Sequence, residues 1–248
     1  MSATKGSRRR SARAADSTDN YALFAAPTAP HPTAKSWCGE VEAALRVDGH
    51  TGPLIGMDEA GRGPLAGPVV AAAVVLPDGC TIVGLDDSKR LTAAARESLY
   101  HQITDQAVAY AVAIADVDEI DRDNILRASL AAMSRAWLGL CDEDASLASA
   151  LVLVDGNQRA PLPAGTRQQT LIKGDARSTH VAAASILAKV MRDRMMCGYD
   201  AVFPEYGFAG HKGYPSAAHR DAIRKHGPCM IHRRSFRLLP EGEPERSP

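Results

Sequence analysis

The chain has 248 residues, 45% of them hydrophobic and 23% charged, with 29 Lys and Arg balancing 29 Asp and Glu. That length buries one sizeable core with at most a small appendage, and the composition is that of an ordinary soluble globular protein. No apolar run reaches the roughly 18 residues of a membrane helix, and the basic N-terminal stretch "MSATKGSRRRSARAADS" lacks the apolar centre of a secretory signal.

In chain order, residues 1–35 are rich in Ala, Ser, Arg and Pro without periodicity and are expected to form a disordered basic arm. A short helix is expected over Ser36–Arg46. A buried strand, Leu54–Glu59, then leads through a Gly-rich turn to a second, Val69–Leu76. "LTAAARESLYHQI" reads as a helix capped by Thr92, Val108–Asp116 as a strand, and Asp123–Leu140 as a long amphipathic helix. "ALVLVDG" is a buried strand ending in Asp155, and "QTLIKGD" a shorter one ending near Asp175. An alanine-dense helix follows, capped by Ser178 or Thr179, and a last helix runs from Ser216 to Lys225. Hairpin-like strands followed by alternating helices and strands predict an α/β fold with a mixed sheet.

Charge and thiols narrow the function class. Five scattered cysteines, Cys38, Cys80, Cys141, Cys197 and Cys229, never form a CxxC pair, so reduced thiols in a cytoplasmic protein are expected, with no disulfide framework or zinc knuckle. The zero net charge hides an asymmetry: Leu171–Leu239 holds twelve Lys or Arg against five acids, which offers one cationic face to a polyanion.

The acids carry the chemistry. Asp58 and Glu59 end one strand, Asp155 ends another, and Asp175 follows a third; each stands where an apolar strand gives way to a Gly-containing loop. Ligands gather at such strand ends in open α/β sheets. A turn or helix cap would explain any single acid, but four converging carboxylates repel one another and call for divalent cations. An all-oxygen donor set selects hard ions, Mg²⁺ or Mn²⁺. Two of them, about 3.5–4 Å apart, clamp the attacking and leaving oxygens of a phosphodiester. The "AGRG" loop lets backbone amides approach a substrate at Gly61 and Gly63, and the absence of GxxxxGK argues against a P-loop.

"GMDEAGRGPLAGPVVAAAVVL", "LDDSKRL", "VDGN", "KGD", "AAASILAKVMRDRMM" and "YGFAGHKGYPSAAH…HGPCMIHRRSF", in this order over Leu54–Phe236, resemble bacterial ribonuclease HII. The resemblance implies a ribonuclease H-like fold, a mixed β-sheet flanked by helices, with a C-terminal helical region completing the substrate groove. It implies one catalytic unit over residues 36–239; residues 240–248, outside the family pattern, are expected to form a flexible tail. It implies an endonuclease that hydrolyses the RNA strand of RNA–DNA hybrids and nicks DNA 5′ of single ribonucleotides, serving ribonucleotide removal and primer degradation; nothing in the sequence demands a dimer or a membrane, so a monomer with no membrane association is expected.

Carried over residue by residue, the metal-binding acids fall on Asp58, Glu59, Asp155 and Asp175, with Asp193 the rival for the fourth place. Asp193 lies four residues after Lys189 on a helix, where an ion pair accounts for it, so Asp175 is taken. Gly61, Arg62 and Gly63 would read the 2′-hydroxyl at the RNA–DNA junction, and Tyr214 would stack on the sugar beyond it. Ser88, Lys89, Lys173, Lys212 and Arg233 suit phosphate contact. The chain departs from the family pattern after the tyrosine, where Pro215 and Ser216 replace the usual Gly-Thr, so a shift of Tyr214 is expected. Two other readings stand beside this one. Ribonuclease HIII carries an additional N-terminal domain, for which the polar residues before Leu54 are too few. A hybrid-binding module without catalysis would lack a carboxylate, and all four are present.

Overall fold

Strand β1 (Leu54–Ala60) lies at the centre of a five-stranded sheet. The computed structural model describes residues 38–80, 82–85 and 91–241; the arm expected over 1–35 and most of the expected tail lie outside these. The other strands are β2 (Val69–Val75), β3 (Ala109–Ala115), β4 (Leu151–Asp155) and β5 (Gln168–Leu171), in the order β3-β2-β1-β4-β5. β1 and β2 form an antiparallel pair, as do β2 and β3, whereas β4 runs parallel to both β1 and β5. The sheet is therefore mixed, as the order of elements predicts.

The helices are α1 (Glu40–Val47), α2 (Ala93–Gln106), α3 (Val117–Asp123), α4 (Ile125–Glu143), α5 (Thr179–Val202), α6 (Phe208–His211) and α7 (Ala217–His226). Thr92 caps α2 by accepting the Ala95 N–H at 3.2 Å, and Ser178 caps α5 by accepting that of Val181 at 3.2 Å. Helix α3 is not foreseen by the sequence pattern. Asn124, at a φ of 71°, breaks the path between α3 and α4, and its side chain accepts the N–H groups of Leu126 and Arg127. The short Asn side chain restarts the helix there as its cap.

Alternation along β1 and β2 sorts the core into two layers. Ile55, Met57, Val69, Ala71, Ala73 and Val75 face α4, where Ala128, Ala132, Met133, Ala136, Trp137 and Leu140 are buried. Val70, Ala72 and Val74 face the opposite layer, built from α2 and the alanine-rich face of α5. A third cluster joins Leu65 and Ala66 of the β1–β2 loop to Met196 and to Tyr206, Phe208, Ile223 and Ile231 of the C-terminal segment. Among the described residues no helix is long and apolar enough to cross a membrane.

The second layer is unusually thin at β1. A Cβ added to Gly56 would stand 2.1 Å from the His180 carbonyl carbon and 2.4 Å from the Val181 nitrogen, both backbone of α5. Backbone cannot yield as a flexible side chain does, so Gly56→Ala is expected to destabilise by about 3 kcal/mol or more through overpacking. Urea unfolding monitored by tryptophan fluorescence measures it, and an unchanged midpoint would mean that α5 can lift off the sheet.

Candidate active site

The strand register delivers the acids. β1 and β4 pair in parallel as far as Met57 opposite Val154, so the next residue on each strand, Asp58 and Asp155, emerges side by side. Met57 and Val154 both face α4, which turns Asp58 and Asp155 toward α5. Glu59 points the other way, into a cleft of about 30 Å³ lined also by Arg62, Asn157, Ser129 of α4 and the end of β4 at Asp155. Asp58 is 4% exposed; its carboxylate accepts the Glu59 N–H at 2.7 Å and the Ser185 hydroxyl of α5. Burial, and then the charges of Glu59 and Asp155, push its carboxyl well above the ordinary carboxylate range.

Asp155 accepts the Gly174 N–H at 2.7 Å, which pins the turn Gly174–Ala176 to the end of β4 and sets the buried Asp175 immediately beside it. Asp193 is placed differently. Lys189 donates to it at 2.7 Å and Arg96 stands 3.8 Å away, two turns of α5 or about 12 Å beyond Ser185.

The carboxylates fit a hard divalent cation by donor type, and Asp58 fits it by charge, since the two contacts named for it carry none. The cleft at Glu59 has room for about one water-sized occupant. The cage is nevertheless open: among the described residues no three His, Cys, Asp or Glu side chains already stand close enough to hold an ion. Larger hollows, such as the 540 Å³ one between α1 and the start of α5, lie away from these acids.

The Gly-rich loop after β1 is held from beneath by two arginines with no exposed surface. Arg233 is therefore not a phosphate contact. Its guanidinium donates to the carbonyls of Gly61 (2.5 Å), Arg62 (3.0 Å), Pro64 (2.8 Å) and Gly67 (2.8 Å), and its neighbour Arg234 is the exposed one. A sequence shows two adjacent arginines alike; only burial separates them. Arg192 of α5 donates to Pro68 (2.9 Å), Ala66 (3.1 Å) and Lys212 (3.0 Å). Gly61, at a φ of 104°, leaves its side open for Arg192, whose Nε would lie 2.2 Å from a Cβ there. Burial lowers the pKa of both arginines, Arg233 to about 9. Ser185 and Arg192 escape a motif reading, although their seven-residue spacing on one helix face is a usable signal.

The remaining residues divide. Arg62 is exposed and lies 3.3 Å from Glu59. Gly63 faces Tyr214, whose Cε1 would be 3.7 Å from a Cβ at that position. Tyr214 is 42% exposed, with Lys189 Nζ 5.7 Å from its ring centre. Lys173 is exposed just before Asp175, while the Lys212 ammonium bonds the Ala209 carbonyl. Ser88 and Lys89 lie outside the described residues. The Tyr214 carbonyl accepts the Ser216 N–H at 2.8 Å, a tight turn centred on Pro215 that suits the φ of proline, and Ser216 caps α7. Pro215 and Ser216 thus fit the turn that carries Tyr214.

Residues 55–239 match the family model described as Ribonuclease HII. The chain is 57% identical over 188 residues to ribonuclease HII of Syntrophotalea carbinolica, covering 76% of this chain and 87% of the relative. It is 52% identical over 210 residues to ribonuclease HII of Geobacter sulfurreducens, covering 85% and 92%. The crystal structure of ribonuclease H2 from Pyrococcus horikoshii superposes with a TM-score of 0.60 at 27% identity, over 75% of this chain and 94% of that one.

A raised carboxyl pKa favours the protonated form in the fold, so the metal-free protein loses stability as pH rises from the ordinary carboxylate range through that raised value. Asp58→Asn keeps the acceptor oxygen and removes the charge. It is expected to stabilise the metal-free protein at pH 7 by about 1 kcal/mol, with the gain vanishing near pH 4. Thermal unfolding in EDTA at the two pH values checks this; equal melting points at pH 7 would show that the charge is already neutralised.

Proposed function

The chain belongs to the ribonuclease HII family, and on that footing we propose that it hydrolyses the RNA strand of RNA–DNA hybrids and nicks duplex DNA 5′ of a single embedded ribonucleotide. It is a ribonuclease H-type endonuclease. The observation that carries the finer reading is the meeting of Gly63 and Tyr214, one loop away from Asp58 and Glu59. A bare backbone beside an exposed aromatic ring suits the edge of a nucleotide whose 2′-hydroxyl is to be read.

Each part of the chain then has a task. The amides of Gly61–Gly63 approach the ribose, and the loop keeps its shape because Arg233 and Arg192 already engage its carbonyls. Tyr214 stacks on the following sugar and favours deoxyribose there. The exposed Lys173 would meet a phosphate of the strand, and Lys212 would do so on leaving the Ala209 carbonyl, as cations that position without reading sequence. Asp58, Glu59, Asp155 and Asp175 would hold two divalent ions, Mg²⁺ or Mn²⁺, which would supply the positive charge for attack of water on phosphorus and departure of the 3′-oxygen. Products carry 5′-phosphate and 3′-hydroxyl ends. Asp58, fixed by Ser185 and by the Glu59 N–H, would anchor the set, and the other three acids would close on the ions from either side.

Incubation with duplex DNA containing one ribonucleotide is expected to give a nick on its 5′ side with Mg²⁺ or Mn²⁺, and none with EDTA. Asp58→Asn should lose turnover while remaining folded; full activity would remove it from the site. Arg62→Ala should bind hybrid more weakly with a shallower salt dependence, by about 0.9 log units per log unit of salt if it meets one phosphate. Cleavage of long hybrids without the ribonucleotide nick would take the junction reading away from Tyr214, and binding without any cleavage would support a non-catalytic module instead.

A further inference from the structure

Beneath Tyr214 lie two buried imidazoles that the activity as described does not use. His219 is 0% and His232 2% exposed. Their Nε2 atoms stand 3.1 Å apart, the other nitrogen of His219 is 3.0 Å from the Tyr214 carbonyl, and the other nitrogen of His232 receives the Cys229 N–H at 2.9 Å. One proton arrangement satisfies both ends. The Cys229 amide can only donate, and at 2.9 Å it lies nearer His232 Nδ1 than the Cys229 carbonyl does at 3.3 Å, so Nδ1 accepts, from the amide and from the Cys229 thiol at 3.1 Å, and the ring proton sits on Nε2. That proton points at His219 Nε2, which must accept, leaving the His219 proton on Nδ1 to be donated to the Tyr214 carbonyl. The reverse arrangement would set two bare acceptors, His219 Nδ1 and the Tyr214 oxygen, against each other. A second proton on either ring would bring two N–H groups face to face. Burial holds both rings neutral, with pKa values lowered to about 4.

The ring beside them completes the support. His211 stacks on His219 with centres 4.3 Å apart, accepts the Gly213 N–H at 3.2 Å and donates to the Tyr206 carbonyl at 2.8 Å. Phe208 and Tyr206 close the cluster on its apolar side. The backbone on both sides of the Gly213–Tyr214 peptide is thus bonded to histidine rings, although the tyrosine ring itself is exposed.

We propose that His219, oriented by His232, is a positioning residue for Tyr214, and that this directional chain of hydrogen bonds sets the preference of the enzyme for an RNA–DNA junction. The proposal rests on the reading of Tyr214 as the group that meets the sugar beyond the junction. Losing the bond to the Tyr214 carbonyl lets its loop drift, which affects substrates that need the ring and spares uniform hybrids.

The test uses the full chain and compares kcat/KM on a duplex with one ribonucleotide against a long all-RNA hybrid, with circular dichroism and thermal melting to establish folding. His219→Leu should lower the ratio of the two about tenfold. His219→Asn keeps an N–H at the place of Nδ1 and should hold the ratio within about twofold, so it tests the proposal even if the leucine variant does not fold. With Tyr214→Ala already in place, His219→Leu should change the ratio no further, a coupling that general loosening would not produce. A folded His219→Leu with an unchanged ratio, an Asn variant as poor as the leucine one, or equal losses with and without Tyr214 would each overturn the proposal. An unchanged ratio in Tyr214→Ala alone would instead overturn the reading beneath it.

Discussion

Helix α5 lies so close to strand β1 that not even a methyl group fits between their backbones at Gly56. Most of the site follows from that approach. The helix can come so near because its buried face is Ala182, Ala183, Ala184 and Ala188, and because the strand presents glycine where the helix begins. Side chains placed further along α5 then reach β1 and its loop directly: Ser185 meets Asp58, and Arg192 fills the space that Gly61 leaves. A thicker layer would leave the buried carboxylate without its hydroxyl donor and the loop without its floor.

Burying two guanidiniums is expensive, and neither Arg192 nor Arg233 has a carboxylate among its close hydrogen-bond partners. Their charge is spread instead over seven carbonyls of the Gly61–Pro68 and Lys212 segments, so each arginine acts as a rigid multi-pronged template for irregular backbone. The loop is shaped before any substrate arrives, which suits a surface that must discriminate by a single hydroxyl. Removing either arginine would strand several buried carbonyls at once, a larger loss than that of a surface contact.

The five strands are legible in the sequence because apolar runs end in turns, and Asp58, Glu59 and Asp155 stand at such ends; β5 stops at Leu171, short of the expected end near Asp175, which lies instead in the turn Gly174–Ala176. The caps Thr92 and Ser178 are legible for the same reason. Asn124 is harder, since an Asn inside a helical pattern signals a break only when its φ is known. Arg233 is misread because burial is a tertiary property; the pattern "HRRSF" gives no ground for sending one arginine inward and its neighbour out. The histidine chain under Tyr214 draws on Cys229, His232 and His219, whose meeting depends on how the segment after α7 folds back over α6. No local rule brings them together.

The contacts between β1 and α5 also keep step over distance. From Gly56 to Gly61 an extended chain advances about 17 Å, and from His180 to Arg192 a helix advances about 18 Å. The two elements therefore act as matched rulers, with marks at Gly56 and His180, Asp58 and Ser185, Gly61 and Arg192. One residue inserted into α5 between Ser185 and Arg192 would turn everything beyond it by about 100°, carrying Arg192 out from under the loop while leaving Ser185 in register. Point substitutions can be absorbed along these rulers, but a change in length cannot, so this is the stretch of the chain where insertions and deletions are least tolerable.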